Sequence, residues 1–515
     1  MPENAFPFSR RGFVMGVAGA GLAAAAAEGS PAGRLPGHIE PWSGPWDGPA
    51  VVKKVYLAQR VPNWPYRTLN VEQEVKELDA HISAVEKRYP GRIRFVGGEL
   101  IYADRTADLE AWVKSLDGVD GILAVIATSN VGALLQPVLN LDRPTLVYER
   151  PYSGHEWAQV SIARQLGKKV DLVASSDFEE LDPFVDAFFA IHHMRHSRLL
   201  VVGRQPRDPG AQPSRPSSAA EMQFGNDAYA RKFGTTFAYP SFAEIRKFYD
   251  ANENEGARLA DEYIRSAARL VEPPREQVVM AMRLHLAIVE LMRAEKANAI
   301  TFACISAPTR GDLAAYPCIS FSLLNDVGLY GVCEGDIECA MTNILVTGYS
   351  GKPGFVTDPI FDTSHDEVIH AHCSSPTAMQ GVGQRSFPYS IRSYPYSGET
   401  RAAALQVHFG GSGPVTVAKF TGPQHLLVST GEVLGNVDVD RGCRSKLRTR
   451  VADSHALLRN WAMANTAVDQ RPPALLSTLA YATQEQLHRI AFYGDHVETL
   501  ERIGRLAGFR VIREN

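Results

Sequence analysis

The sequence contains little cysteine, no large surplus of charge of either sign and no hydrophobic run long enough to span a membrane. Six cysteines in 515 residues exclude a small scaffold held together by disulfides. The 53 basic and 57 acidic residues give a net charge of −4, which leaves no basic surplus for binding nucleic acid or an anionic membrane. We therefore expect a small-molecule partner.

Several common motifs are also missing. The chain has no Walker A motif, no cysteine pairs spaced for zinc and no Gly-x-Ser-x-Gly nucleophile motif. Residues 19–24 match the form of the dinucleotide-binding fingerprint, but two arginines rather than a strand precede them, so we reject a nucleotide site there. The 42 glycines and 32 prolines are an ordinary share, which excludes a disordered or fibrous chain.

The first residues are typical of an export signal. Arg10 and Arg11 are followed by an apolar stretch of 15 residues at 13–27, which is shorter than the roughly 20 residues of a membrane span. The segment 1–27 resembles a twin-arginine signal with a cleavage site at its three final alanines. This resemblance implies export of the folded protein to the periplasm or beyond, with no membrane attachment after cleavage. A plain N-terminal helix or a retained anchor is the alternative.

The rest of the chain predicts two α/β domains followed by a β-rich one. Residues 28–50 are rich in proline, glycine and tryptophan and are interpreted as a linker. Over 51–190, strands alternate with amphipathic helices, which is typical of a doubly wound parallel sheet, and the pattern restarts over 191–351. Over 352–515, short segments of alternating polarity indicate a mainly antiparallel, barrel-like domain. The predicted fold class is therefore two doubly wound parallel α/β domains and a C-terminal antiparallel β domain.

The densest group of polar side chains lies between residues 331 and 380. Glu334 comes just before a helix that Asp336 can cap, where the helix dipole and the free amides stabilise an anion. Asp358 follows 24 residues later in an expected loop, and the next strand presents His370 and His372 on one face. Two carboxylates with an imidazole suit Mn²⁺, Mg²⁺ or Co²⁺ better than a thiolate zinc site does.

From spacing alone, ordinary structural roles explain the same residues. Glu334 can simply lie at a helix cap, while His365 and His370 can be exposed to solvent or can support a site indirectly. Cys373 is expected to point away from the histidine face of its strand and to be an inert buried thiol. The alternating basic side chains at 444–450 indicate a solvated or subunit-facing strand, with a site for an anionic sugar as the alternative.

The order of these motifs resembles that of the L-fucose isomerase and L-arabinose isomerase superfamily. A Glu-Gly-Asp turn before a helix, an acid after a Phe-Val turn and an Ala-His-Cys strand end carry the resemblance over 331–373. It extends loosely across the three-domain layout of 51–515. In that family two acids and a histidine hold a divalent metal, usually manganese. Matching the motifs gives these metal-binding roles to Glu334, Asp358 and His372.

The resemblance implies two further features of the site. A later histidine joins the metal site in the arabinose branch, and His488 occupies the matching region of this chain. The arabinose branch carries its second acid at the position of Thr357, so this chain is closer to the fucose branch there. The resemblance also implies trimers or hexamers in which a neighbouring first domain completes the site.

The activity implied by this family is aldose–ketose isomerisation of a sugar such as L-fucose, D-arabinose or L-arabinose, through enediol proton transfer beside a Lewis-acid metal. Glu334 and Asp358 are then the acid and the base, in an order that the sequence leaves open. Aldose isomerases normally supply cytosolic kinases, so export favours a second hypothesis, a lyase or hydrolase that uses the same metal site. A sugar-binding protein without turnover is the third hypothesis.

Overall fold

The structure is a computed structural model, and it describes residues 35–203, 225–396, 402–466 and 487–515. The expected export signal at 1–27 lies outside these residues, and so does the start of the expected linker at 28–34. Among the described helices, none combines the length and the apolar character that a membrane crossing requires.

The first α/β domain is built on a five-stranded parallel sheet. Its strands are β1 (Ala50–Ala58), β2 (Ile93–Tyr102), β3 (Gly121–Ile126), β4 (Thr145–Glu149) and β5 (Val170–Ala174). Its helices are α1 (Val71–Arg88), α2 (Thr106–Val113), α3 (Gly132–Leu139), α4 (Trp157–Gln165) and α5 (Asp182–His196). The strand order is β2-β1-β3-β4-β5. The central strands β3 and β4 are buried along their whole length, as expected when helices cover both faces of a parallel sheet.

The second α/β domain contains a four-stranded parallel sheet. Its strands are β6 (Arg198–Val202), β7 (Thr236–Ala238), β9 (Ala299–Phe302) and β10 (Tyr330–Val332), while the short strand β8 (Arg269–Leu270) lies outside this sheet. The strand order is β10-β9-β6-β7. The helices are α6 (Gly225–Phe233), α7 (Phe242–Ala251), α8 (Glu253–Ser266), α9 (Arg275–Ala294), α10 (Ser306–Thr309), α11 (Cys318–Asp326) and α12 (Ile337–Ser350).

The C-terminal domain is a closed antiparallel β-barrel. Its six strands are β11 (Phe355–Asp362), β12 (Glu367–His372), β15 (Pro414–Phe420), β16 (His425–Asn436), β17 (Ser445–Arg450) and β18 (Arg489–Tyr493). They follow the order β15-β18-β11-β12-β17-β16, and β16 pairs with β15 again to close the barrel. The surrounding elements are β13 (Tyr389–Ser393), β14 (Ala403–Val407), β19 (Arg510–Arg513), α13 (Ser454–Thr466) and α14 (Val497–Ala507).

The fold class predicted from the sequence is confirmed, since two parallel α/β sheets precede an antiparallel barrel. The residue boundaries of the domains stay predictions. One local expectation was wrong, because Asp358 lies within strand β11 and not in a loop. Within the described residues the pairing of β11 with β18 ends at Thr357, while its pairing with β12 continues through Pro359, so the missing N–H of the proline interrupts no β18 pairing described there.

A continuous apolar core joins the domains. One buried cluster includes Tyr56 and Tyr148 of the first sheet, Met341 of α12, and Ile490 and Phe492 of β18. Helix α12 packs against α5 of the first domain on one side and against β15 and β18 of the barrel on the other, and Asp336 at its N-terminal cap accepts a hydrogen bond from Lys419 of β15. This packing fixes where the turn before α12 meets the end of the barrel.

Candidate active site

Glu334 lies in the turn between β10 and α12, at the carboxyl edge of the second parallel sheet. This is the edge at which open α/β sheets bind ligands. The residue adopts a φ of 66° and a ψ of 11°, a left-handed conformation that costs a non-glycine residue roughly 1 to 2 kcal/mol. Its backbone N–H donates to the Sγ atom of Cys304 at 3.3 Å. The turn therefore constrains the position of the carboxylate.

Asp358 and His372 lie on the neighbouring strands β11 and β12 of the barrel, and His488 directly precedes β18, which borders β11 on its other side. The pairing of β11 with β18 ends at Thr357, so the next position along the two strands brings Asp358 opposite His488. His372 is the last residue of β12, on the other side of β11. One end of the barrel thus presents three side chains towards Glu334.

The four residues singled out from the sequence, Glu334, Asp358, His372 and His488, converge at this point. Glu334 Oε1 lies 3.5 Å from His372 Nε2, and Glu334 Oε2 lies 3.6 Å from His488 Nε2. The same Nε2 atom of His488 is 3.6 Å from Asp358 Oδ1. One nitrogen of His488 therefore faces two carboxylates.

Two atoms at the centre of this group are buried and lack a hydrogen-bond partner among the described residues. They are Oε2 of Glu334 and Nε2 of His488. Leaving a buried polar atom unpaired costs about 1 to 3 kcal/mol, so a further binding partner at this point would be favourable. Ligand atoms of Glu334, His372 and His488 all lie within 4.8 Å of one another. The protein thus contains a buried group of carboxylate and imidazole ligands that could hold a metal ion.

Glu334 and His372 stabilise each other's charged form. Burial favours neutral Glu334, but the hydrogen bond from His372 and the charge of His488 outweigh burial and lower the pKa of Glu334. Burial likewise favours neutral His372, but the hydrogen bond and the charge of Glu334 outweigh it and raise the pKa of His372 to about 9. A metal ion that binds His372 must therefore displace a proton.

A further carboxylate, that of Asp336, lies on the side of His488 that faces away from Glu334. The sequence predicted only a helix-capping role for it. Asp336 Oδ1 does cap α12, since it accepts the backbone N–H of Cys339 at 2.8 Å. Its Oδ2 accepts from His488 Nδ1 at 3.0 Å and from Lys419 Nζ at 2.9 Å. Burial opposes the charge of Asp336, but Lys419 and His488 hold its pKa well below the usual range.

A cavity of about 260 Å³ opens beside Glu334, Asp358 and His372. Its wall is rich in sulfur and aromatic rings, and no lysine or arginine lines it in the part of the chain that the structure describes. The lining cysteines, all free thiols, are Cys304, Cys318, Cys333, Cys373 and Cys443, and the lining tyrosines are Tyr316, Tyr394 and Tyr396. Two of these tyrosines, Tyr316 and Tyr394, stack with their ring centroids 4.4 Å apart.

Most of this wall could not be expected from the sequence. The tyrosines and Cys443 belong to connections that carry no recognisable motif. Cys373 was expected to point away from the site, but it lines the cavity because β12, and with it the strand alternation, ends at His372. The hydrogen bond from Cys373 lowers the pKa of Cys443 to about 6.

The other histidines considered as ligands lie elsewhere. His370 is buried in the barrel, with Nε2 3.0 Å from Thr449 Oγ1, and burial lowers its pKa to about 4. His365 is exposed and contacts Asp362 at 3.1 Å. Neither joins the ligand group of Glu334 within the described residues.

Three of the four basic side chains at 444–450 are engaged within the protein, while Arg450 is exposed. Arg444 pairs with Asp440 at 2.7 Å, and Arg448 pairs with Glu367 at 3.7 Å. Lys446 donates to a backbone carbonyl at 2.8 Å. These contacts favour the structural role of the basic strand over a site for an anionic sugar.

A second group of possible metal ligands, Asp120, His192 and His196, lies in the first domain. His192 Nδ1 is 2.8 Å from Asp120 Oδ2, and its Nε2 donates to the carbonyl oxygen of Pro45 at 2.9 Å. Arg195 donates to the other oxygen of Asp120 at 2.9 Å. Both nitrogens of His192 therefore already have hydrogen-bond partners, which favours a structural role for this group over metal binding.

Comparisons with known proteins add little to this geometry. No protein-family model and no curated protein matches the chain. One solved structure that matches is a solute-binding protein of an ABC transporter from Burkholderia multivorans, described with an unknown ligand represented as alpha-D-erythrofuranose. It is 12% identical in sequence, and the match covers 52% of this chain and 86% of that one with a TM-score of 0.18. A likeness at this score carries no argument about fold or function.

Proposed function

We propose that the protein is a metal-dependent, carbohydrate-active enzyme that interconverts an aldose and a ketose. The observation that carries this proposal is the pair of buried atoms without partners, Glu334 Oε2 and His488 Nε2, which lie 3.6 Å apart near a cavity. A carboxylate and an imidazole in this arrangement suit a divalent cation. The resemblance of the surrounding motifs to the L-fucose isomerase and L-arabinose isomerase superfamily supports the same function.

Glu334, Asp358, His372 and His488 are the residues that would hold the ion. Their oxygen and nitrogen donors suit Mn²⁺ first, with Mg²⁺ and Co²⁺ as alternatives. When bound, such an ion supplies Lewis-acid polarisation of two adjacent sugar oxygens.

The carboxylates of Glu334 and Asp358 are the groups that would transfer protons. An aldose loses its C2 proton to a base and gains a proton at C1, while the hydroxyl proton of O2 ends on O1. Asp358 is better suited than Glu334 to act as the base, because it is more accessible to a substrate in the cavity. Its side chain is 39% exposed, whereas that of Glu334 is 11% exposed. Glu334 lies deeper, where its ionised form is stabilised by His372.

The cavity favours an uncharged sugar of monosaccharide size. A volume of about 260 Å³ limits the ligand to a compact molecule. No lysine or arginine lines this space among the described residues, so the cavity offers no guanidinium or ammonium partner for a phosphate or carboxylate group on the substrate. The stacked pair Tyr316 and Tyr394 offers an aromatic face to the C–H groups of a sugar.

Export and assembly are proposed on the two resemblances alone. The twin-arginine-like segment at 1–27 supports export of a protein that folds before it crosses the membrane. The isomerase resemblance supports a homo-oligomer, a trimer or a hexamer.

The test is incubation of the Mn²⁺-loaded protein with L-fucose, D-arabinose and L-arabinose in D₂O, followed by NMR. We expect one of these aldoses to form its ketose with deuterium at the exchanging carbon. The variant Asp358→Asn should slow turnover by about 10²- to 10⁴-fold, because a proton-transfer group is lost. The variant Asp362→Asn is the matched control, since Asp362 lies on the same strand and contacts exposed His365 instead of the cavity. Cleavage of the sugar, or binding without turnover, would replace the isomerase proposal.

A further inference from the structure

A buried ion pair lies next to the ring nitrogen of His488 that faces away from Glu334. The side chains of Lys419 and Asp336 are 2% and 1% exposed, and that of His488 is fully buried. Lys419 Nζ donates to Asp336 Oδ2 at 2.9 Å, and His488 Nδ1 lies 3.0 Å from the same oxygen. Three separate segments meet here, namely strand β15, the turn before α12 and the residue before β18.

Stability alone does not account for this arrangement. Taking two charges out of water is costly, and apolar side chains of similar volume commonly stabilise a fold as well as a buried ion pair does. The pair has instead a geometric consequence for the ring of His488. That ring is the only one of the three groups that also faces the candidate metal site within the described residues.

Asp336 holds His488 in one orientation and one tautomer. Its Oδ1 is anchored by the N–H of Cys339 in the first turn of α12, which leaves Oδ2 facing His488 Nδ1. A carboxylate oxygen only accepts hydrogen bonds, so Nδ1 is the nitrogen that carries the proton. When the ring acts as a metal ligand it must be neutral, and its lone pair is then on Nε2, the atom that lies 3.6 Å from both Glu334 Oε2 and Asp358 Oδ1.

We propose that Asp336, with its charge balanced by Lys419, is a positioning residue that orients His488 to bind a divalent cation through Nε2. This inference rests on the proposed function and adds to it the residues that set the geometry of one ligand. Partners that act through a ligating histidine typically change metal affinity by about 10- to 100-fold. The Glu-Gly-Asp turn then has two roles, because Glu334 would bind the ion and Asp336 would orient His488.

The test compares Co²⁺ affinity between metal-free wild-type protein and Asp336→Asn, by isothermal titration calorimetry on the full chain. Asparagine caps helices about as well as aspartate, so α12 keeps its cap, while the amide NH₂ cannot accept from His488. We expect the affinity to fall by about 10- to 100-fold and the visible absorption spectrum of bound Co²⁺ to change. Asp326→Asn is the matched control, because Asp326 is a buried aspartate that pairs with His38 away from the site. The Co²⁺ affinity of this variant should equal that of the wild type.

A double-mutant cycle separates positioning from a general loosening of the site. In a His488→Ala background, Asp336→Asn should lower Co²⁺ affinity no further, because the ring that it orients is gone. An equal loss in both backgrounds, or no loss in the wild type, overturns the inference. If Asp336→Asn alone fails to fold because Lys419 loses its nearest acidic partner and is left with Glu338 at 3.9 Å, the cycle is run with Asp336→Asn/Lys419→Met, which removes both charges of the pair.

The wild-type protein provides a measurement that needs no substitution at Asp336. In protein labelled with ¹⁵N-histidine and loaded with Mg²⁺, we expect the His488 signals, identified by their loss in His488→Gln, to show a protonated Nδ1 and an unprotonated Nε2. A proton on Nε2 of the loaded protein overturns the inference. A wild type that binds no divalent ion overturns the proposed function itself, whereas full affinity in Asp336→Asn overturns only the role of Asp336.

Discussion

His488 Nε2 and Glu334 Oε2 face each other at 3.6 Å across the boundary between the barrel and the second α/β domain. Glu334 is fixed by the turn after β10, and His488 is fixed by the start of β18. The two atoms therefore meet only when the domains are packed together. An ion bound between them would link the two domains, and its binding energy would add to the stability of that packing.

His372 and His370 provide a comparison within one strand. We expect His372→Ala to lower Mn²⁺ affinity strongly, because the remaining ligands leave a position that only water can fill. His370→Ala should leave the affinity nearly unchanged, because His370 contacts Thr449 inside the barrel and not Glu334. Calorimetric titration of both variants checks this. The opposite result would show that the strand presents the other histidine to the ion.

The affinity for the metal ion should depend on pH through His372. Its pKa is raised to about 9, so a proton occupies the ring at neutral pH and must leave when the ion binds. The pKa of Glu334 is lowered, so this carboxylate is already ionised. Affinity should therefore rise between about pH 6 and pH 9 and level off above, with about one proton released per ion. Titrations in buffers of different ionisation enthalpy measure this release, and an affinity independent of pH over that range would contradict it.

Cys443 should be the most reactive thiol of the protein. Its pKa is lowered to about 6 by the hydrogen bond from Cys373, and it is only partly buried, whereas burial raises the pKa of Cys318 and Cys333. Iodoacetamide should then alkylate one thiol per chain already at pH 7, because the thiolate is the reactive form. Peptide mass spectrometry identifies the site, and Cys443→Ser is the control. A bound sugar should slow the reaction because Cys443 lines the cavity, and equal rates with and without sugar would place the ligand elsewhere.

The proposed export signal at 1–27 can be tested through its two arginines. Replacing Arg10 and Arg11 by lysine should leave a folded protein in the cytosol, because the arginine pair is the feature on which the resemblance rests. Cell fractionation with a periplasmic marker measures the outcome. Export of the double variant at the wild-type rate would show that this segment is not a twin-arginine signal.

The order of the elements could be predicted because each depends on local pattern. Buried apolar runs such as that of β3 identify the parallel strands, and alternating segments such as β15 identify the barrel. The placement of Asp358 in a loop was wrong, because β11 stays paired with β12 through Asp358 and Pro359. The pairings of β18 with β11 and β15 join strands that are far apart in the chain, so they have no local signal.

The candidate site likewise combines residues that a local sequence pattern indicates with residues that only the folded chain brings together. Glu334 could be singled out because a glycine and a helix cap follow it directly, and His372 because a strand ends there. Lys419 could not be predicted to contact Asp336, since 83 residues separate them and only the packing of β15 against α12 brings them together. The thiols and tyrosines of the cavity wall come from distant connections for the same reason.

The metal content of the purified protein tests the central claim most directly. Elemental analysis of wild-type protein should find about one divalent ion per chain, with manganese the best fit to the ligand set. The same analysis of Glu334→Gln should find almost none, because the amide contributes no charge to the ion and leaves His488 facing a neutral group. Active wild-type protein that contains no divalent ion, or a Glu334→Gln variant that keeps a full complement, would contradict the account.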